Sequence, residues 1–131
     1  MLNRILIIGN LGRDPELRYM DDGRAVCSFS VAATRVNKSK EKETTWFRVS
    51  VFDKQAESCN QYLTKGRQVY IDGRLTSDAE TGGPRVYQRQ DGTWAASYDV
   101  IASDVRFLGS KPDVEPESKP AKEVKTEDMP F

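Results

Sequence analysis

Residues 44–52, TTWFRVSVF, alternate between two kinds of side chain, with Phe47, Val49 and Val51 on one parity and Trp46, Arg48, Ser50 and Phe52 on the other. Successive side chains of a strand point to opposite faces, so this pattern predicts a strand with one apolar face and one that mixes flat rings with a cation. The same period recurs along the chain. Arg4, Leu6 and Ile8 alternate with Ile5 and Ile7, until Gly9 and Gly12 interrupt the run with a bend or bulge. Residues 16–20 resume extended structure, Asp22-Gly23 offers a tight hairpin turn, and residues 25–34 return with Cys27, Phe29, Val31 and Ala33 on one face. Residues 68–75 and 98–108 predict further strands. Helical spacing occurs once, with Asp53 as the cap, Ala56, Cys59, Tyr62 and Leu63 buried, and Gly66 as the stop. The predicted order is strands, one helix, then strands.

The segment around Asp91-Gly92 predicts a second ring-bearing hairpin. A two-residue turn there pairs Gln90 with Thr93, Arg89 with Trp94 and Tyr87 with Ala96. Arg85, Tyr87, Arg89 and Trp94 then share one face, and the opposite face is too polar for a core, so the hairpin is expected to project into solvent. A surface of rings and cations can stack unpaired bases and hold their phosphates. It can equally fill a second core layer or pack against a sister subunit, since arginine and tyrosine are common at protein interfaces. Residues 35–43, RVNKSKEKE, form a charged loop or hairpin tip, where Arg35, Lys38, Lys40 and Lys42 can guide a phosphate chain while Glu41 and Glu43 oppose it.

Composition narrows the function. The 131 residues support one domain with an extension. Net charge is zero, with 20 Lys+Arg against 20 Asp+Glu, so attraction for a polyanion must come from local clustering. There is no histidine, and Cys27 and Cys59 are far apart without a CxxC pair; no metal site and no cofactor are expected. Both thiols read as small core residues in a reducing, cytoplasmic setting, and no apolar run reaches membrane-spanning length. Catalysis is not expected, because the chain lacks histidine and shows no recognisable carboxylate cluster for a general base or a metal nuclease. Residues 111–126 are rich in Pro, Glu and Lys and are expected to stay disordered. As a flexible coil, residues 109–131 span roughly 25 Å.

NRILIIGNLGRDPELRYM, WFRVSVFDKQAE and YLTKGRQVYIDGRL, in this order and spacing, resemble the bacterial single-stranded DNA-binding (SSB) family over residues 3–108. The resemblance implies a mainly β OB-fold over residues 1–108, a five-stranded Greek-key barrel with one helix between strands 3 and 4. It also implies a disordered linker over 109–126 and a homotetramer around which single-stranded DNA wraps. By position, Trp46, Phe52 and Tyr87 resemble base-stacking residues, with Arg48, Lys54, Lys65 and Arg18 near phosphates. Asn37 stands about where some members place a further tryptophan, and Trp94 is the candidate to compensate. The end, Glu127-Asp128-Met129-Pro130-Phe131, resembles the acidic, hydrophobic tip that recruits replication, recombination and repair proteins, with Met129 in place of the more familiar isoleucine. The rival readings are an RNA-binding OB module, a small β-barrel hydrolase and a purely structural oligomer.

Overall fold

Alternating apolar positions bury one face of each strand, and a sheet with one such face closes on itself when its first strand can reach its last. A computed structural model describes residues 1–109; the predicted linker from residue 110 onward and the tip Glu127, Asp128, Met129, Pro130 and Phe131 lie outside the described residues. The elements run β1 (Ile5–Leu11), β2 (Glu16–Tyr19), β3 (Ala25–Val36), β4 (Lys42–Phe52), α1 (Asp53–Tyr62), β5 (Gln68–Thr76), β6 (Arg85–Gln88) and β7 (Trp94–Leu108). β1 pairs with β5, β5 with β7, β7 in parallel with β4, and β4 with β3. β3 returns to β1 at Asn10↔Ala32 and Leu11↔Val31, which closes a five-stranded barrel. Counted along the barrel, α1 lies between the third and fourth strands, as in the OB-fold. β2 continues the sheet beyond β3, and β6 pairs with the part of β7 that runs past the barrel.

The core follows the predicted parities. Cys27, Phe29 and Val31 of β3 meet Val49 and Val51 of β4, Val69 and Ile71 of β5 and Val100 of β7, all buried. Ala56, Cys59 and Leu63 plug the end covered by α1. Burial pushes the Cys27 thiol up to about 11 and the Cys59 thiol to about 12, so both stay protonated and unreactive at neutral pH. The Gln55 amide ties the helix to β7, donating to the Ser103 carbonyl at 2.9 Å and accepting the Val105 N–H at 3.0 Å. Arg67, buried at the same end, donates to the carbonyls of Tyr62 and Leu108.

Three expectations about α1 and the β6–β7 hairpin are corrected. Asp53 does not cap the helix: Phe52 is the N-cap residue, Asp53 has φ +63°, and no side-chain cap hydrogen bond is made among the described residues. Tyr62 is exposed rather than buried, its ring lying 6.0 Å from that of Phe107. The β6–β7 turn has three residues, not two. Arg89 N–H bonds the Thr93 carbonyl and Gly92 N–H bonds the Arg89 carbonyl, with Gly92 at φ +90°. Asp91 Oδ1 secures this loop by accepting from the Thr93 N–H and hydroxyl. Tyr87 therefore pairs with Ala95 and Gln88 with Trp94, which puts Trp94 on the face opposite Arg85 and Tyr87. The Asp-Gly dipeptide suits both loop lengths: a two-residue type I′ turn needs both residues at positive φ, which Asp tolerates and Gly favours, while a three-residue loop needs only the glycine there. The β2–β3 and β3–β4 loops repeat the geometry, with Gly23 and Lys40 in the position of Gly92.

Gly9 does not break its strand, as the bend predicted there would suggest; β1 runs unbroken to Leu11. A β-carbon at Gly9 would strike the Ala32 carbonyl and Val31 Cγ1, so glycine allows the close approach at which the barrel shuts. Gly73 does the same for β5 and β7, at a register shift where a β-carbon would strike the Ile101 carbonyl. Gly73→Ala is expected to lower stability by about 1–3 kcal/mol or more. Urea unfolding checks this, with the midpoint falling and the slope unchanged.

Candidate nucleic-acid interface

The face of β4 turned away from the core carries Trp46, Arg48, Ser50 and Phe52, and the register shows what stands beside each. Ala32 lies opposite Trp46, Ser30 opposite Arg48, Ser28 opposite Ser50 and Val26 opposite Phe52. These neighbours are small except for Val26, so the rings and the guanidinium stand above their surroundings. On the other side, Arg48 is level with Asp99 of β7, and Arg85 of β6 lies opposite Ser97. The result is an open groove of about 520 Å³ whose lining includes Arg13, Trp46, Arg48, Arg85 and Tyr87.

Trp46 is 53% exposed, and its indole rests over Gly12. A β-carbon at Gly12 would come within 2.5 Å of Trp46 Cζ3 and 2.8 Å of Cη2. The glycine read from the sequence as a bend is thus the seat of this ring. At the opposite wall the Arg85 guanidinium lies 5.1 Å from the Tyr87 ring centre, and its Nε donates to Asp99 Oδ2 at 2.9 Å. Asp99 also accepts from the Ser97 hydroxyl. The Asp99 bond holds the cation beside the ring, and the two together offer a stacking surface.

Phe52 extends the same face toward β2, where Arg18 stands opposite Val26. Sequence reasoning missed the Arg24 guanidinium, which lies 5.3 Å from the Phe52 ring centre and donates to both carboxylate oxygens of Asp53, each at 3.2 Å. The hydrogen bond from Arg24 holds the Asp53 carboxyl below its ordinary range, and Asp53 raises Arg24. Arg13, Asp14 and Glu16 also line the groove without having been singled out. They occupy the β1–β2 connection and the start of β2, and only the three-dimensional path of the chain shows that they face Trp46.

The remaining candidates lie at the margins. Lys54 is exposed in the first turn of α1, and Lys65 is exposed in the loop after it, its backbone N–H donating to Asp14 Oδ1 at 2.8 Å. Arg35 pairs with Glu43 at 3.7 Å near the β3–β4 tip, where Lys38 is exposed. Arg89 is exposed just beyond β6. Trp94 is 68% exposed but does not share the face of Tyr87, so the single patch of Arg85, Tyr87, Arg89 and Trp94 expected from the sequence is split. Among the described residues no three His, Cys, Asp or Glu side chains gather as metal ligands, and no helix is long and apolar enough to cross a membrane.

An OB-type barrel with rings and arginines along an outer groove has the architecture of an oligonucleotide-binding module. The chain belongs to the single-strand binding protein family, whose profile matches residues 2–108. It is 41% identical over 114 residues to the single-stranded DNA-binding protein of Neisseria meningitidis serogroup B, covering 84% of this chain and 62% of that protein. It is 37% identical over 114 residues to the protein of that name from Xanthomonas campestris, with the same coverage of each chain. Single-stranded DNA-binding protein 1 of Staphylococcus aureus is 40% identical over 113 residues, covering 85% of this chain and 68% of that one. The chain thus spans somewhat under two thirds of the length of the Neisseria and Xanthomonas relatives.

The seat of Trp46 has a measurable signature. In a Trp94→Phe background, leaving Trp46 as the single emitter, Gly12→Ala is expected to push the indole outward. Its emission should shift to the red and acrylamide quenching should rise, while folding stability changes by no more than about 0.5 kcal/mol.

Proposed function

We propose that this protein binds single-stranded DNA without catalysis and largely without regard to sequence, shielding unpaired strands during replication, recombination and repair. The observation that carries this reading is the half-exposed Trp46, seated on Gly12 and facing the same groove as Arg48, Arg85 and Tyr87. Bases stack on Trp46, Tyr87 and, farther along the face, Phe52, while arginines meet the phosphates between them. Each base stacked on an aromatic ring contributes about 1–3 kcal/mol. Stacking dominates because the cations are diluted by Asp14, Glu16 and Asp99 in or beside the same groove. The names of the relatives support this choice of ligand.

The assembly we propose is a homotetramer in the cytoplasm. Supporting self-association, Leu6 and Ile8 of β1 are exposed on the outer face, level with Asp72 and Tyr70 of β5. The tip from Glu127 to Phe131 recruits partner proteins, with Phe131 filling a pocket, its carboxylate meeting a basic residue, and Glu127 and Asp128 adding attraction. The linker, residues 109–126, acts as the tether.

Titration with oligothymidine should quench the tryptophan emission. Trp46→Ala should weaken binding about 5- to 150-fold, the equivalent of one stacked base. Absence of both quenching and a gel shift at low salt would overturn the reading, and equal affinity for matched RNA would redirect it to an RNA-binding module. Removing the last four residues should leave DNA affinity unchanged or slightly higher while abolishing capture of partner proteins by pull-down. A tenfold loss of DNA affinity in that folded truncation would contradict the division of labour.

A further inference from the structure

We propose that Arg24 is a phosphate-binding residue for the strand at the Phe52 end of the face, held in the free protein by Asp53 and handed to the DNA backbone on binding. This rests on the single-stranded DNA reading above. The β2–β3 hairpin loop aims Arg24: Gly23 takes the left-handed position at φ +87°, and Asp22 Oδ1 accepts the Arg24 N–H at 3.0 Å. The guanidinium then lies over the Phe52 ring with two hydrogen bonds to Asp53. A base can stack on that face of Phe52 only after the guanidinium leaves it.

The contact is built to be exchanged. The Arg24 and Asp53 side chains are 49% and 59% exposed, and solvent-exposed ion pairs are weak and screened by salt. Asp53 makes no cap bond for α1 and sits at φ +63°, a backbone position that its type tolerates better than most but that glycine favours. Its carboxylate is turned instead to Arg24. A phosphodiester presents the same paired oxygens to a guanidinium as a carboxylate does, so it can replace Asp53 without loss of the forked geometry. Arg18 lies two strands across the same face and Lys54 follows Asp53 in the chain, so a phosphate drawn here meets further cations. No covalent bond is formed or broken; one anion replaces another at the guanidinium.

The test compares the full chain with Arg24→Ala, Arg24→Lys, Asp53→Asn and the double variant Arg24→Ala with Asp53→Asn. Asparagine tolerates the left-handed backbone at position 53, and circular dichroism confirms folding. Oligothymidine affinity is measured over a range of sodium chloride concentrations. Arg24→Ala should reduce the steepness of log affinity against log salt by about 0.7, the share of one phosphate on a single strand. Arg24→Lys should keep that slope. Asp53→Asn should tighten binding about threefold at low salt when Arg24 is present, and not when it is alanine. An unchanged slope in Arg24→Ala, or equal tightening by Asp53→Asn in both backgrounds, would overturn the exchange while leaving single-stranded DNA binding intact. Failure of the unaltered chain to bind would overturn both readings together.

Discussion

The return of β3 to β1 is the constraint on which the rest of the molecule depends. Closure needs the backbone at Gly9 to pass against the Ala32 carbonyl and Val31, where no β-carbon fits. Once the barrel is shut, every inward parity is committed to the core, and the other parity of β3 and β4 must face outward. The same closure brings Gly12, just beyond β1, beside β3, where its N–H bonds the Ser30 carbonyl and its missing side chain leaves room for Trp46. Core and groove are thus two results of one packing event.

The groove is chemically mixed rather than strongly basic. Arg85 is engaged by Asp99, Arg24 by Asp53 and Arg35 by Glu43, and the whole chain is electrically neutral. A surface of this kind attracts polyanions weakly at long range and relies on flat rings at contact. One ion pair also has a positive use. The Arg85–Asp99 pair holds a long, flexible side chain in a defined place over Tyr87, so less side-chain freedom is lost when a ligand arrives.

Much of this was legible in the residues. The alternation in TTWFRVSVF separates Val49 and Val51 from Trp46 and Arg48, and the structure keeps that separation. The single helix, the buried Ala56, Cys59 and Leu63, and the order of strands follow from spacing alone. The hairpin register was not legible. Asp91-Gly92 fits a two-residue or a three-residue loop, and the difference of one residue moves Trp94 from the face of Tyr87 to the opposite one. Asp53 likewise reads as a cap from its neighbours, while Arg24, distant in sequence, draws its carboxylate away.

Local periodicity therefore determined which residues of each strand are buried, because side-chain direction in a strand is set by the backbone within a few residues. It determined the helix and the existence of the turns for the same reason. The tertiary structure decided what those side chains meet: Trp46 on Gly12, Arg24 over Phe52, Arg85 between Tyr87 and Asp99. The Trp46–Gly12, Arg24–Phe52 and Arg85–Asp99 contacts each join segments separated by at least one turn. Their geometry depends on loop length, register and barrel closure, which no short window of sequence contains.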